Sequence, residues 1–208
     1  GQWQNQNVVS LKLISSMHAV SFNTDHVAVG ARVTLDDLEN QLAEIHPEWS
    51  EFIQIFASPQ IKNNGTLVGN IANGSPIGDN LPFLLAMDAT LLIQGDKQQR
   101  SLNINDFYLG FREKDLAKGE IITQVNIPHK KTNTFLKLYK VSQRRDLDIS
   151  CVAAAFNMVF DDENKLKENW EEVEQEIAGV DRACLLKLLK EFESFSERTF
   201  ETATHNAK

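Results

Sequence analysis

Between Asn63 and Asp79 the chain gathers four glycines, four asparagines, two hydroxyl residues and a single carboxylate, with strongly apolar residues on either side. Glycine allows backbone torsions and close approaches that other residues forbid. Successive backbone N–H groups in turns of this kind can form a concave site for an oxyanion. The chemistry this pattern suits is the binding of a phosphate-bearing cofactor. No Gly-Lys-Ser/Thr follows, so it is not a Walker loop, and the spacing is not the G-x-G-x-x-G of dinucleotide-binding turns. The plain alternative is a surface connection rich in turn residues.

A second cluster runs from Lys137 to Asp148 and contains Lys140, Arg144 and Arg145 with carboxylates beside them. It reads either as a solvated strand end with weak surface ion pairs or as positive charge held against an anionic cofactor or substrate. The five histidines are scattered without metal-ligand spacing. No Ser or Cys lies in a nucleophile elbow, and nothing points to hydrolysis. No catalytic side chain and no metal site are expected.

Composition narrows the field further. With 208 residues, 42% hydrophobic and 24% charged, the chain can bury a real core. A net charge of −8 argues against nucleic acid or an anionic membrane surface as partner. No apolar run approaches the roughly 20 residues that cross a bilayer, and the first residues do not form a signal peptide. Cys151 and Cys184 read as buried thiols in a reducing, cytoplasmic compartment, too few for a disulfide framework or a four-thiolate cluster.

The elements that must position the two clusters follow from periodicity. Val8 to Ile14 and Val27 to Val33 read as strands. Thr34-Leu35-Asp36-Asp37 opens a helix with Leu38, Leu42 and Ile45 on one face. His46-Pro47 ends it, and a second helix, Trp49 to Ala57, carries Phe52, Ile53 and Phe56 to the polar stretch. Beyond Asp79, Pro82 suits the first turn of another helix. Strands are expected at Thr90 to Gln94, Ile121 to Ile127, Phe135 to Val141 and Ser150 to Phe160, with Leu102 to Phe111 irregular. From Asp161 the chain is charged and helix-prone. The fold class is α+β in two parts: residues 1–95 as a mixed α/β lobe, and residues 96–208 as an antiparallel sheet covered by the helices of residues 162–198.

The run from Phe56 to Asp79, Phe-Ala-Ser-Pro-Gln-Ile-Lys-Asn-Asn-Gly-Thr-Leu-Val-Gly-Asn-Ile-Ala-Asn-Gly-Ser-Pro-Ile-Gly-Asp, resembles the FAD-binding domain of the xanthine dehydrogenases, in particular the bacterial small subunit. The resemblance extends from about residue 11 to about residue 160. It takes in Val29-Gly30-Ala31, Val33-Thr34-Leu35, Asp37-Leu38, Glu120-Ile121-Ile122, Ile127-Pro128 and Lys140 to Asp148. It implies that Thr66, Leu67, Val68, Gly69 and Asn70 form the loop that contacts FAD, with backbone N–H groups toward the pyrophosphate. Phe56 would pack on the cofactor, Asp79 would hydrogen-bond to it, Ile122 would be an apolar contact and Lys140 a basic one. Arg144 and Arg145 would lie beside the flavin, where NAD has access. Three departures stand out. Val68 occupies the position of the first glycine in the usual Thr-x-Gly-Gly-Asn, and residue 1 falls just after a glycine-rich turn that precedes this region in the family. A Gly-Gly-containing segment after Phe160 is also missing or shortened, so the expectation is a fragment.

The function implied is the electron outlet of a molybdenum hydroxylase. Purine hydroxylation would occur at a molybdenum cofactor on a large partner subunit. The [2Fe-2S] centres would lie on an iron–sulfur domain upstream, and FAD here would hand electrons to NAD. Two alternatives remain: the flavin part of another molybdenum hydroxylase, and a flavin-free structural subunit of such a complex.

Overall fold

The computed structural model describes residues 10–110, 113–144 and 147–160. A short 3-10 turn (Ser15–His18) leads into β1 (Val20–Phe22) and β2 (His26–Gly30). Five helices follow: α1 (Leu35–Leu42), α2 (Pro47–Gln54), α3 (Pro59–Lys62), α4 (Leu67–Asn73) and α5 (Leu81–Ala86). Then come β3 (Thr90–Gln94), β4 (Gln99–Asn103), a 3-10 turn (Ile104–Asp106), β5 (Tyr108–Gly110), β6 (Glu113–Lys114) and β7 (Ile121–Pro128). The long strands β8 (Thr134–Val141) and β9 (Val152–Val159) complete the described chain.

Local signals account for the helices. Thr34 Oγ1 accepts the Asp37 N–H at 3.1 Å and donates its own proton to the Asp37 carboxylate at 2.7 Å, so the expected capping box starts α1. Leu35, Leu38 and Leu42 then turn inward together. Pro47 stands in the first turn of α2, two residues before the expected start, where its missing N–H costs nothing. Trp49, Phe52 and Ile53 bury the inner face of α2; full burial of such side chains contributes roughly 1.5–3 kcal/mol each.

The main sheet has the order β1-β2-β7-β3-β4, every neighbouring pair antiparallel. Val27, Val29, Leu91, Ile93, Val125 and Ile127 are fully buried, and Leu38, Leu42, Ile53, Leu67, Ile71 and Leu84 from the helices belong to the same core. The period of two explains the alternation along each strand. An extra residue on β7 near Thr123 shifts the register against β3, and the Thr123 hydroxyl donates to Leu92 O at 3.1 Å across this bulge.

Three expectations need correction. A division near residue 95 falls inside this sheet, because Gly95 only turns the β3–β4 hairpin, with its N–H on Gln98 O at 2.9 Å, and β7 closes the sheet beyond it. Residues 10–14 of the expected first strand turn instead of pairing, with Ile14 N–H on Leu11 O and Leu13 almost wholly exposed. Cys151 is exposed, not buried, at the entrance to β9. Cys184 and the helices expected over 162–198 lie outside the described residues.

Strands β8 and β9 form a separate two-stranded antiparallel hairpin in continuous register. Leu136, Leu138 and Lys140 share one of its faces by the period of two. Leu136 and Leu138 pack on the core of the first sheet, which turns Lys140 toward the same side. Asn157 on β9 fastens the hairpin by donating to Ala86 O at the end of α5, at 2.7 Å.

Candidate functional site

Lys140 is where the two sequence clusters meet. Its ammonium donates to Asp79 Oδ2 at 2.5 Å, to Asp148 O at 2.9 Å and to Ser150 Oγ at 3.0 Å, which uses all three protons. The Lys140 and Asp79 side chains are 2% and 6% exposed. Removing two charges from water is expensive, and their attraction offsets the cost only when the remaining polar atoms are also satisfied. On the carboxylate they are not. Asp79 Oδ1 is buried without a hydrogen-bond partner, and so are Asn70 Oδ1 and Asn80 Nδ2. The other end of the Asn80 amide accepts the Trp49 indole N–H at 3.1 Å, which fixes its orientation. A buried polar group left in this state costs about 1–3 kcal/mol.

The polar stretch itself is not the open glycine loop its composition predicts. It folds as α3, a tight turn and α4. The Thr66 hydroxyl caps α4 by accepting the Gly69 N–H at 2.9 Å. A Cβ at Gly69 would stand 2.8 Å from that hydroxyl oxygen, so the cap requires glycine there. Gly74 ends the helix in the left-handed region, at φ 59°. Val68 lies within the helix with its side chain buried in the core, so this position does not require the freedom of a glycine. A short helix hides in the sequence because Gly69, Asn70 and Asn73 all disfavour helix, and only the burial of Leu67, Val68 and Ile71 overrides them.

The structure distributes the remaining expected residues unevenly. Gly69 N–H is engaged by the cap and Asn70 N–H by Thr66 O at 3.0 Å; Val68 N–H, in the first turn, has no acceptor within the helix. The Leu67 side chain is fully buried in the core, and Ile122 joins the same core beside the β7 bulge. Phe56 is half-buried against it. The Arg144 side chain is exposed and reaches Asp148 Oδ1 at 3.4 Å, while its N–H donates to Asp148 Oδ2 at 2.9 Å. These bonds hold the Asp148 carboxyl below its usual range. Because Asp148 O accepts from Lys140, Arg144 is one residue removed from the buried pair. Arg145 lies outside the described residues.

Sequence reasoning missed Asn80, Trp49, Ser150, Tyr108 and Lys114. The Tyr108 hydroxyl donates to Ile71 O at 3.0 Å and Lys114 Nζ to Ala72 O at 2.6 Å, both at the exit of α4. Burial pushes the Tyr108 phenol pKa up. Only the proximity of Trp49 to a helix start and of Asn80 to Asp79 offered any signal. Among the described residues no group of His, Cys, Asp and Glu could hold a metal ion, and no helix is long and apolar enough to cross a membrane.

Two buried oxygens that can only accept, one buried amide donor and a neighbouring ammonium fit a large polar cofactor that offers both N–H groups and oxygens. Flavin nucleotides have both. Comparison with known proteins agrees at the level of family. Residues 1–130 match the family described as the FAD binding domain in molybdopterin dehydrogenase, and this chain belongs to that family of oxidoreductase flavin components. It is similar to a xanthine dehydrogenase from Dictyostelium discoideum, 33% identical over 156 residues, which cover 65% of this chain and 12% of that protein. It is also similar to the nicotinate dehydrogenase FAD-subunit of Eubacterium barkeri, 26% identical over 77% of this chain and 56% of that one. A crystal structure of cyanide-inactivated Cu,Mo-CO dehydrogenase superposes with a TM-score of 0.68 at 27% identity, covering 73% of this chain and 54% of that one. The chain thus spans about an eighth of the xanthine dehydrogenase and about half of each of the other two.

Proposed function

We propose that this chain holds FAD between α4 and the Asp79–Lys140 pair, as the electron outlet of a molybdenum hydroxylase of the xanthine dehydrogenase kind. The single observation that carries this reading is the pair of buried, unpartnered acceptors Asp79 Oδ1 and Asn70 Oδ1. FAD bound there supplies the chemistry, accepting electrons one at a time and releasing a hydride to NAD. The protein's residues bind and orient. Asp79 and Asn70 accept N–H or O–H groups of the cofactor, and the Val68 N–H in the first turn of α4, free of an intrahelical acceptor, is offered to its pyrophosphate. Phe56 and Ile122 supply apolar surface. Lys140 pairs with Asp79 and fixes its carboxylate in place, and the exposed Arg144, with Arg145, attracts the phosphates of NAD. In this reading a large subunit with the molybdenum cofactor oxidises the purine, hypoxanthine to xanthine to urate, and [2Fe-2S] centres relay the electrons, within the cytoplasm.

A second reading, the flavin part of another molybdenum hydroxylase, is favoured by the larger share of the nicotinate dehydrogenase FAD-subunit that the chain covers. The substrate pocket of the partner subunit distinguishes the two. The test common to both is flavin retention after incubation with FAD and desalting, read from the visible spectrum. The wild-type chain is expected to keep flavin, and Asn70→Ala and Asp79→Asn to lose most of it. Equal retention by all three moves the cofactor away from these residues. No retention by the wild type favours a flavin-free structural subunit.

A further inference from the structure

The β5–β6 hairpin makes contacts that the proposed cofactor site does not use directly. Tyr108 on β5 and Lys114 on β6 pair in register and send their polar tips to two consecutive carbonyls, those of Ile71 and Ala72. These belong to the last turn of α4, whose carbonyls lack the i+4 N–H donors of the helix interior and carry partial negative charge; Ile71 O also accepts the Gly74 N–H at 3.0 Å. Gly74, which turns the chain out of the helix, lies under the same two side chains. A Cβ there would come within 3.1 Å of Lys114 Cδ and 3.6 Å of Tyr108 Cε1. At its other end α4 is tied to the start of α1, through the Leu35 N–H on Gly65 O at 2.9 Å and an antiparallel bridge between Thr34 and Thr66. The helix is therefore gripped at both ends, and the exit grip comes from a hairpin more than thirty residues further along the chain.

We infer that Tyr108 and Lys114 are positioning residues for the cofactor site, setting where Asn70 sits and along which path the chain leaves Gly74 toward Asp79. This rests on the reading of α4 and Asp79 as cofactor-binding. The mechanism is geometric. With only two turns, α4 moves as a rigid unit, so freeing its exit tilts Asn70 and lets residues 74–79 adopt other paths. Neither side chain needs to touch the cofactor. A hydroxyl and an ammonium suit the task because both donate, and a cation at a helix C-terminus is stabilising in its own right.

The test compares Tyr108→Phe, Lys114→Met and Lys114→Arg with the wild-type full chain. Asn105→Ala serves as control, since it removes a similar hydrogen bond, to Asp88 at 2.7 Å, on another part of the fold. FAD affinity is measured by fluorescence titration, and amide exchange over residues 67–79 by mass spectrometry. The expected result is FAD affinity about five- to tenfold weaker in Tyr108→Phe and Lys114→Met, largely restored in Lys114→Arg and unchanged in Asn105→Ala. Exchange should rise over residues 67–79 in the first two variants only. Unchanged affinity in both, or a loss equal to that of the control at equal loss of stability, overturns the inference. If the wild type binds no FAD, it is the cofactor reading that fails. In that case exchange decides the rest: a rise confined to residues 67–79 upholds the positioning role, and unchanged exchange removes it.

Discussion

Two charged clusters in this molecule have opposite characters. Around Arg100 each guanidinium nitrogen finds an acceptor: Nε and Nη2 reach the Glu120 carboxylate at 2.9 and 2.8 Å, and Nη1 and Nη2 reach Asp115 at 2.8 to 3.1 Å. Arg100 in turn holds the Glu120 carboxyl below its usual range, chiefly through the hydrogen bond between them. Around Lys140 the cation is satisfied, but the carboxylate keeps one buried oxygen unpaired. The Arg100 cluster is complete as it stands and ties β4 to the β7 entrance. The Lys140 cluster lacks a donor, and a ligand can provide it. Between these two clusters, unmet hydrogen-bonding capacity at the carboxylate, more than charge or burial alone, marks the difference.

The largest effect that would break this contrast is at Asp79. Asp79→Ala leaves the Lys140 ammonium buried without its counter-charge, and stability should fall by about 3–5 kcal/mol, measured by urea unfolding. A loss near zero would show that the pair is solvated in solution, and the contrast would collapse.

His46 extends the comparison to a buried group with no charge to satisfy. It is fully buried, neither ring nitrogen makes a hydrogen bond of good geometry, and the ring meets Phe83 edge-on at 5.5 Å. Burial is the main cause that lowers its pKa to about 4; Glu48 and, more weakly, the Pro128 backbone oppose the shift, and His129 and Lys130 reinforce it. The unfolded chain takes up this proton near pH 6.5 and the folded one only near 4. The contribution is therefore fully present above about pH 6.5 and lost as pH falls from there toward 4, by roughly 3 kcal/mol in all. Unfolding midpoints across that range should decline in the wild type and flatten in His46→Leu. A wild-type profile as flat as the variant's would mean that water reaches the ring.

The smallest effect is expected at Arg100. Arg100→Met should cost about 1 kcal/mol of stability, in keeping with partly exposed ion pairs, and leave FAD retention unchanged. Loss of flavin in this variant would erase the distinction between brace and site.

The sequence made some of this legible and hid the rest for physical reasons. Local signals survived folding: the Thr34–Asp37 box, Pro82 at the head of α5, and the alternation that made β7, β8 and β9 readable. The polar run could be recognised as site material, but its helix could not, since the residues that serve the turns are poor helix formers. β4, as Gln-Arg-Ser-Leu-Asn, carries no strand pattern because it lies at the sheet edge with much of its surface in water. The Asp79–Lys140 pair joins residues 61 positions apart, and the grip of Tyr108 and Lys114 on α4 spans 37 and 42. Only packing reveals such meetings. The chain division expected near residue 95 failed for the same reason, because a strand that arrives later belongs to the earlier sheet.

That late strand also sets an order of events during synthesis. β7 lies between β2 and β3, which touch each other nowhere in the sheet order. A nascent chain that has not reached Pro128 therefore holds two separate hairpins, each with an unpaired edge where β7 will lie. Nearly a hundred residues divide β2 from its partner, so closure of the sheet is a long-range, slow step. The ribosome must release the central strand before α4 has a floor to rest on, and the interval before then is when this chain is most exposed to wrong pairing.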